Sequence, residues 1–413
     1  MAKPKSPNDL APHHLPLVET PAPLPQAPLD DAQRLACLRL IRSENIGPVT
    51  FRELINRYGG AQRALDALPE LSRKGGRTIR ICPVDVAEAE LAAAARVGAR
   101  PLFTIEPDYP PLLAHLDMPP PLIYAKGRLD MLTRPAIAIV GSRDASAAGR
   151  TLTRTLALDL AKAGLVIVSG LARGIDMEAH RVALERGTIA VLAGGVDVIY
   201  PPEHAELHEQ IADMGCLVSE QPPGFVPRGQ DFPRRNRIIS GIANAVIIVE
   251  AARRSGTLIT ARMAAEQGRE VFAVPGHPLD PRAEGTNHLI KAGATMVTSA
   301  ADVLEALGPT LKPRFSFREP EPPPDIPFEQ ERKVAETAPE TPSPPYNAEG
   351  ERARVLAVLG PAPVNIDELV RVTGLSVRVI QAAILELSLA GRIERHGQNL
   401  VSLIGDADSG VTG

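Results

Sequence analysis

AIAIVGSRDASAAGRTLTRTLALDLAKAGLVIVSGLARGIDMEAHR, residues 136–181, decides how the rest of the chain is read. Two short apolar runs, AIAIV (Ala136–Val140) and LVIVS (Leu165–Ser169), flank a helical stretch, and each opens into a glycine-containing turn. The pattern repeats downstream in TIAVLA (Thr188–Ala193), LVSE (Leu217–Glu220), AVIIVEA (Ala245–Ala251), EVFAVP (Glu270–Pro275) and ATMVT (Ala294–Thr298). Near-continuous apolar strands alternating with helices describe a parallel sheet buried on both faces. Residues 99–310 are therefore expected to form a doubly wound α/β domain. Its ligands should sit at the carboxyl ends of the strands.

Those strand ends carry unusual chemistry. The first strand runs into GSRDASAAGR (Gly141–Arg150). A dinucleotide fingerprint needs G-x-G-x-x-G here, and Arg143 takes the place of the second glycine. A long cationic side chain where backbone must approach a pyrophosphate disfavours ordinary NAD binding. Gly141, Ser142 and Arg143 instead offer a fork of donors beside a helix N-terminus, suited to a phosphate oxyanion, unless Arg143 is used in an internal ion pair. The second strand ends in SGLARGIDMEAHR, where Ser169, Gly170 and the loop amides are candidate donors and Arg173 adds charge. Asp176 and His180 lie four apart on one helical face. No nucleophile is paired with them, so a structural role is expected rather than acid/base catalysis. The third strand leads to AGGVDVIYPPEH, in which Tyr200-Pro201-Pro202 reads as a rigid turn.

The densest chemistry lies in RGQDFPRRNRIISG (Arg228–Gly241) and EAARRSGTLITAR (Glu250–Arg262). Seven arginines (228, 234, 235, 237, 253, 254, 262) fall in this span with Asp231 and Glu250 as its acids. Phe232 sits inside the cluster. A ring among arginines can stack a base while the arginines hold phosphates, provided the ring is not in the core. Asn236 lies in the same run, and Ser255-Gly256-Thr257 opens another helix after a strand, a further anion seat. No Lys follows a G-x-x-x-x-G, so a P-loop is absent. No carboxylate cluster suggests a two-metal nuclease.

The 413 residues carry 45 basic and 49 acidic side chains, a formal charge of −4, which excludes a globally basic coat but not a local patch. With no Trp, 5 Tyr and 8 Phe, a large aromatic stacking platform is excluded too. Cys37, Cys82 and Cys216 are scattered and no CxxC occurs, so neither a disulfide framework nor a structural zinc is expected. No apolar run approaches a membrane span, and no secretory signal is visible. No metal, no cofactor, no membrane and a cytoplasmic location are the expectations. Of 41 prolines, eight fall in residues 1–30 and ten in residues 311–346. These two segments read as a proline-rich tail and a tether (residues 311–349) between folded parts.

Residues 31–98 read as helical, with Gln33, Leu35, Leu38 and Ile41 along one stripe. NIGPVTFRELINRYGG (Asn45–Gly60) is a Gly-Pro turn followed by an apolar helix stopped by glycines. It is similar to helix–hairpin–helix and SAM-like modules, some of which grip DNA backbone; a plain packing domain fits it as well. Residues 350–405 read as three helices (Arg352–Leu359, Ile366–Gly374, Ser376–Gly391) and a hairpin turning at Gly397, a winged helix–turn–helix, with a short tail at 406–413. In the third helix Ser376 is the expected N-cap.

IVGSR (Ile139–Arg143), SGLARGID (Ser169–Asp176), YPPEH (Tyr200–His204), SEQPPG (Ser219–Gly224), FPRRNRIISG (Phe232–Gly241) and SGTLITA (Ser255–Ala261) resemble the DNA-processing protein A family, also called Smf. The three-part layout suits that family. The resemblance implies an extended Rossmann-like fold that uses no dinucleotide. It implies a non-enzymatic single-stranded-DNA-binding protein of natural transformation, which protects incoming DNA and loads the RecA recombinase. It places a binding pocket on Gly141, Ser142, Arg143 and the Phe232–Arg237 segment, Phe232 being the stacking ring. It also implies a homodimer through Asn287–Met296, where Leu289 and Ile290 are expected to be exposed. One departure stands out: the third helix of the winged module has Arg378 as its single basic residue and carries the acidic Glu386, whereas groove reading wants more basic side chains. That favours a protein-interaction or regulatory role for the module.

Two other readings remain open on the residues. Glu250 before Ser255-Gly256-Thr257 resembles nucleotide-processing phosphoribohydrolases, although Arg254-Ser255-Gly256-Thr257 lacks their double glycine. The winged module would also fit a transcription regulator whose α/β domain senses a phosphorylated ligand.

Overall fold

The computed structural model describes residues 28–311, 348–397 and 399–404. Most of the proline-rich tail, nearly all of the tether and the final tail lie outside them. The N-terminal module has four helices: α1 (Asp31–Arg42), α2 (Pro48–Tyr58), α3 (Ala61–Lys74) and α4 (Val84–Arg96). α2 begins at Pro48 behind Gly47 and ends at Gly59 in the left-handed conformation, as its Gly-Pro start and Gly-Gly stop predict. Gln33 does not join the apolar stripe: its side chain closes a capping box with Asp30 at the start of α1. Leu38, Leu40, Phe51, Leu54 and Leu68 form the core of the module.

The central sheet has nine strands: β1 (Arg100–Phe103), β2 (Leu122–Gly127), β3 (Ala136–Val140), β4 (Val166–Ser169), β5 (Thr188–Leu192), β6 (Cys216–Ser219), β7 (Ala245–Ile248), β8 (Glu270–Ala273) and β9 (Thr295–Met296). Their order is β1-β2-β6-β5-β4-β3-β7-β8-β9. β3 to β9 pair in parallel, as expected. β1 and β2 depart from that expectation: β2 is antiparallel to β6, and β1 to β2. Residues 104–121, which join β1 to β2, hold only the one-turn α5 (Pro111–Ala114) and no crossover helix of the kind that links parallel neighbours. Antiparallel edge strands on a parallel sheet are common.

Helices cover both faces: α6 (Ala147–Lys162), α7 (Ile175–Ala183), α8 (Ala205–Met214), α9 (Asp231–Ile242), α10 (Thr257–Glu266), α11 (Glu284–Lys291) and α12 (Ala300–Leu311). The five residues of β3 are all buried. Ile137 and Ile139 point into a cluster with α6, α7 and α12, while Ala138 and Val140 point into one with α9 and α10. That two-sided burial is why the run has no polar alternation.

The C-terminal module holds α13 (Ala348–Val358), β10 (Val364–Asn365), α14 (Ile366–Thr373), α15 (Val377–Leu389), β11 (Ile393–His396) and β12 (Leu400–Leu403), with sheet order β10-β12-β11. This is a winged helix, and Ser376 caps α15 by accepting from Val379 N. It is seated on the N-terminal module. Leu385 and Leu389 of α15 belong to the same apolar cluster as Leu38 and Leu68. Asn45 Nδ2 donates to Leu389 O at 2.9 Å, and Arg395 pairs with Glu53 at 2.7 Å. Among the described residues no single helix is long and apolar enough to cross a membrane.

Candidate nucleic-acid interface

β3, β4 and β5 end on one edge of the sheet, and α9 begins beside them. Arg143 follows β3, Arg173 follows β4, and Phe232 sits in the first turn of α9. The Arg143 guanidinium lies 5.8 Å from the centroid of the half-buried Phe232 ring, within cation–π reach. On the ring's flank stands Tyr200, 48% exposed, with ring centroids 5.1 Å apart and planes tilted by 51°. A small cavity of about 30 Å³ opens here, lined by Arg143, Gly170, Gly194, Tyr200, Phe232 and Arg235. Reading Tyr200-Pro201-Pro202 as a turn missed the second ring. No local signal marks it, because its ring partner Phe232 lies far along the chain.

The arginines of the cluster separate into two groups. Arg143, Arg173, Arg228, Arg234, Arg253 and Arg254 are exposed, and Asn236 is half-buried. Arg235 is not presented to solvent. It is buried, and its Nη1 donates to Gly170 O at 2.7 Å and to Val191 O. Burial lowers its pKa to about 10, partly opposed by the nearby Asp176 carboxylate. Arg237 Nη2 donates to both carboxylate oxygens of Glu220, at 2.6 and 2.7 Å. Arg173 faces Glu203 at 3.6 Å and Arg253 faces Glu284 at 3.3 Å, both solvent-exposed pairs of little strength. The phosphate-facing charge is therefore smaller than the count of seven implies.

Most strand-end donors expected to face a ligand point inward. Ser169 is fully buried and its hydroxyl donates to Ile139 O at 2.6 Å. Gly170 N and Ala172 N donate to Asp176 Oδ2 at 3.1 and 3.4 Å. Asp176 thus shapes the loop ahead of α7; burial raises its pKa, with Arg235 and these amides opposing. His180 is also structural: its Nδ1 meets Thr188 Oγ1 at 2.7 Å, and burial lowers its pKa to about 3. In the Ser255-Gly256-Thr257 turn, Ser255 Oγ accepts from Thr257 N and donates to Thr257 Oγ1, which donates to Gly141 O at 3.2 Å. These hydroxyls tie two loops together. Asp231 likewise accepts from Arg228 N at 2.8 Å, setting the approach to α9.

The segment expected to self-associate is α11 with β9. Asn287 exchanges two hydrogen bonds with Gly276, and Met296 is 55% exposed. Leu289 and Ile290 are half-buried rather than exposed, Leu289 packing on the sheet's core. Helical periodicity without knowledge of the sheet face behind the helix overstated their exposure. Among the described residues no group of three or more His, Cys, Asp or Glu is placed to hold a metal ion.

Fold and site together define a three-part protein: a Rossmann-like sheet whose strand ends carry a cationic, two-ring cleft, with a helical module before it and a winged helix after it. Residues 100–308 match the family model described as DNA recombination-mediator protein A. Residues 31–93 match a DprA-like N-terminal HHH domain, and residues 338–399 a DprA winged helix domain. Protein Smf of Synechocystis is 38% identical over 309 residues, covering 70% of this chain and 76% of that one. DNA processing protein DprA of Streptococcus pneumoniae is 46% identical over 207 residues, 49% of this chain and 73% of the relative. The crystal structure of the pneumococcal DNA processing protein A aligns with a TM-score of 0.56 at 34% identity, over 68% of this chain and 98% of that chain. A structure of DNA processing protein A from Helicobacter pylori, described for its single-stranded DNA binding mode, aligns at 32% identity with a TM-score of 0.47, over 51% and 96%. The chain belongs to the DNA-processing protein A (DprA/Smf) family, a family of DNA-processing, DNA-binding proteins.

Proposed function

We propose that this protein binds single-stranded DNA along the carboxyl edge of the sheet, without catalysing a reaction on it. The observation that carries the reading is Arg143 set over Phe232 with Tyr200 beside it. Exposed arginines can neutralise phosphates while rings of this kind accept any unstacked base. Stacking on the ring faces reads no base edge, so little sequence preference is expected. Glu250 is hydrogen-bonded through both oxygens to Ser146, which speaks against the phosphoribohydrolase reading. The packed face of α15 speaks against the transcription-regulator reading. In the cytoplasm of a bacterium, such a protein would protect incoming single strands during natural transformation or recombination and load RecA on them. It would act as a homodimer through α11 and β9, whose two clefts would raise avidity.

The deciding experiment is a salt-titrated binding comparison of single-stranded and duplex oligonucleotides with the full chain. Preference for the single strand, with an affinity that falls steeply with salt, is expected. Equal or stronger duplex binding would sink the reading. Faster RecA filament growth on coated DNA tests the loading role, and a shift of Met296→Arg to the monomer in sedimentation tests the dimer.

A further inference from the structure

In an open α/β sheet a nucleotide phosphate enters where the strand order reverses, at the N-terminus of the first helix. Here that point lies between β3 and β7, in front of α6. The seat is filled from within. Ser146, the N-cap of α6, receives the Glu250 carboxylate from the loop after β7. Ser146 N donates to Oε2 at 3.0 Å and Ser146 Oγ donates to Oε1 at 2.5 Å. Gly149, in the first turn of α6, makes room: a Cβ there would lie 2.5 Å from Oε1 and 2.6 Å from Cδ of Glu250. Gly149 is helical and needs no special φ, so close approach is the physical reason for a glycine at this position.

We infer that Glu250 is a built-in substitute for a nucleotide phosphate, closing this seat to nucleotides and holding the Gly141–Ser146 loop that aims Arg143 at the cleft. A phosphate entering the seat would meet a carboxylate at hydrogen-bonding distance from the same donors. The donors that a pyrophosphate needs are already satisfied by a charged acceptor. The loop is pinned from the β7 side by Thr257 Oγ1 on Gly141 O as well. With the switch point occupied, the open cationic surface lies one strand over, beside β4 and β5, where Arg143 and Phe232 meet. Glu250 is a positioning residue in this account. The effect on DNA rests on the proposed function, whereas the filled seat does not.

The test uses the full chain as wild type, Glu250→Ala and Glu250→Gln, with inorganic phosphate as the probe. Glu250→Ala should gain saturable phosphate binding by calorimetry, and the wild type should show none. Its affinity for an oligothymidylate, in phosphate-free buffer of matched ionic strength, should fall by roughly tenfold, as expected when a charge-assisted contact no longer positions the loop. Added phosphate should restore most of that loss. Glu250→Gln keeps an acceptor for Ser146 and should stay within about threefold of wild type. A folded Glu250→Ala that binds no phosphate overturns the inference. Should Glu250→Ala fail to fold, Gly149→Ala, whose methyl group evicts the same carboxylate, must lower oligonucleotide affinity; unchanged affinity there overturns Glu250 as the residue that positions Arg143. Phosphate binding gained with DNA affinity intact would support the filled seat and count against Arg143 as a DNA contact.

Discussion

The strand-end cleft and the winged helix are both built from parts that proteins use on nucleic acid, yet they present opposite surfaces. In the cleft, hydroxyls and amides are consumed inside the fold while Arg143, Arg173, Arg228 and Arg234 remain in solvent, Arg143 over the first of two rings. In the winged helix, α15 occupies the position of a reading helix, but residues 383–390 are all buried. Ala383, Ile384 and Leu387 face the module's own core, and Leu385 and Leu389 face the N-terminal helices. Glu386, an unfavourable charge on a groove-reading helix, is instead a buried partner of Arg352 at 2.6 Å. The helix–hairpin–helix turn has the same fate, since Asn45 bonds to the end of α15. A motif's usual occupation depends on which of its faces is left open after the domains pack.

The largest effect should come from an arginine that looks like a DNA contact in sequence and is not one in space. Arg235→Ala removes two bonds to buried carbonyls and strands the Asp176 carboxylate that Arg235 offsets. Leaving a buried charge without its partner should cost about 3–5 kcal/mol in denaturant unfolding. A variant as stable as wild type would show that the guanidinium is dispensable inside and return it to the list of phosphate contacts. Next in size is Gly75→Val. A Cβ on Gly75 would overlap Glu386 O and lie 2.8 Å from Ala390 Cβ. Overpacking this seam should cost roughly 1–3 kcal/mol, read as faster hydrogen exchange in α15. Oligonucleotide affinity should stay within about twofold, because the seam and the cleft share no residues. A large loss of affinity would mean that the two regions work as one.

The sheet was legible in the sequence because strands buried on both faces announce themselves: Ile137, Ile139 and Val140 admit no other reading once helices stand on either side. The edge strands β1 and β2 were not, since RPLF and LIYAKG are short, flanked by proline, and joined by a segment without helical periodicity. The site was legible in part. Arg143 and Phe232 stood out because a cation replaces a glycine and a ring interrupts an arginine run. Tyr200 was hidden, because its partner Phe232 is 32 positions away and only folding brings the rings together. Charge counting failed for Arg235 and Arg237 for a related reason. Their partners, Gly170 O, Val191 O and Glu220, lie in or just after β4, β5 and β6, far from α9 in the chain.

Within the cleft the rings and the arginine should separate by size and by kind of effect. Phe232→Ala should weaken oligonucleotide binding by about 1–3 kcal/mol, the value of one stacked base, equally for all base compositions. Tyr200→Ala should cost less, because its ring is tilted 51° from Phe232 and offers a base one flank rather than a parallel face. If both rings hold the same base, the double variant will lose less than the two single losses together. Arg143→Ala should have the smallest effect at moderate salt, yet the most informative one. As a phosphate contact it would make the salt dependence shallower by about 0.7 in the log–log slope, one neutralised charge on a single strand. A loss of affinity at unchanged slope would assign Arg143 a different task. Its guanidinium would then serve the cleft by holding the Phe232 ring at 5.8 Å in the orientation a base can reach, with the phosphates left to Arg228 and Arg234.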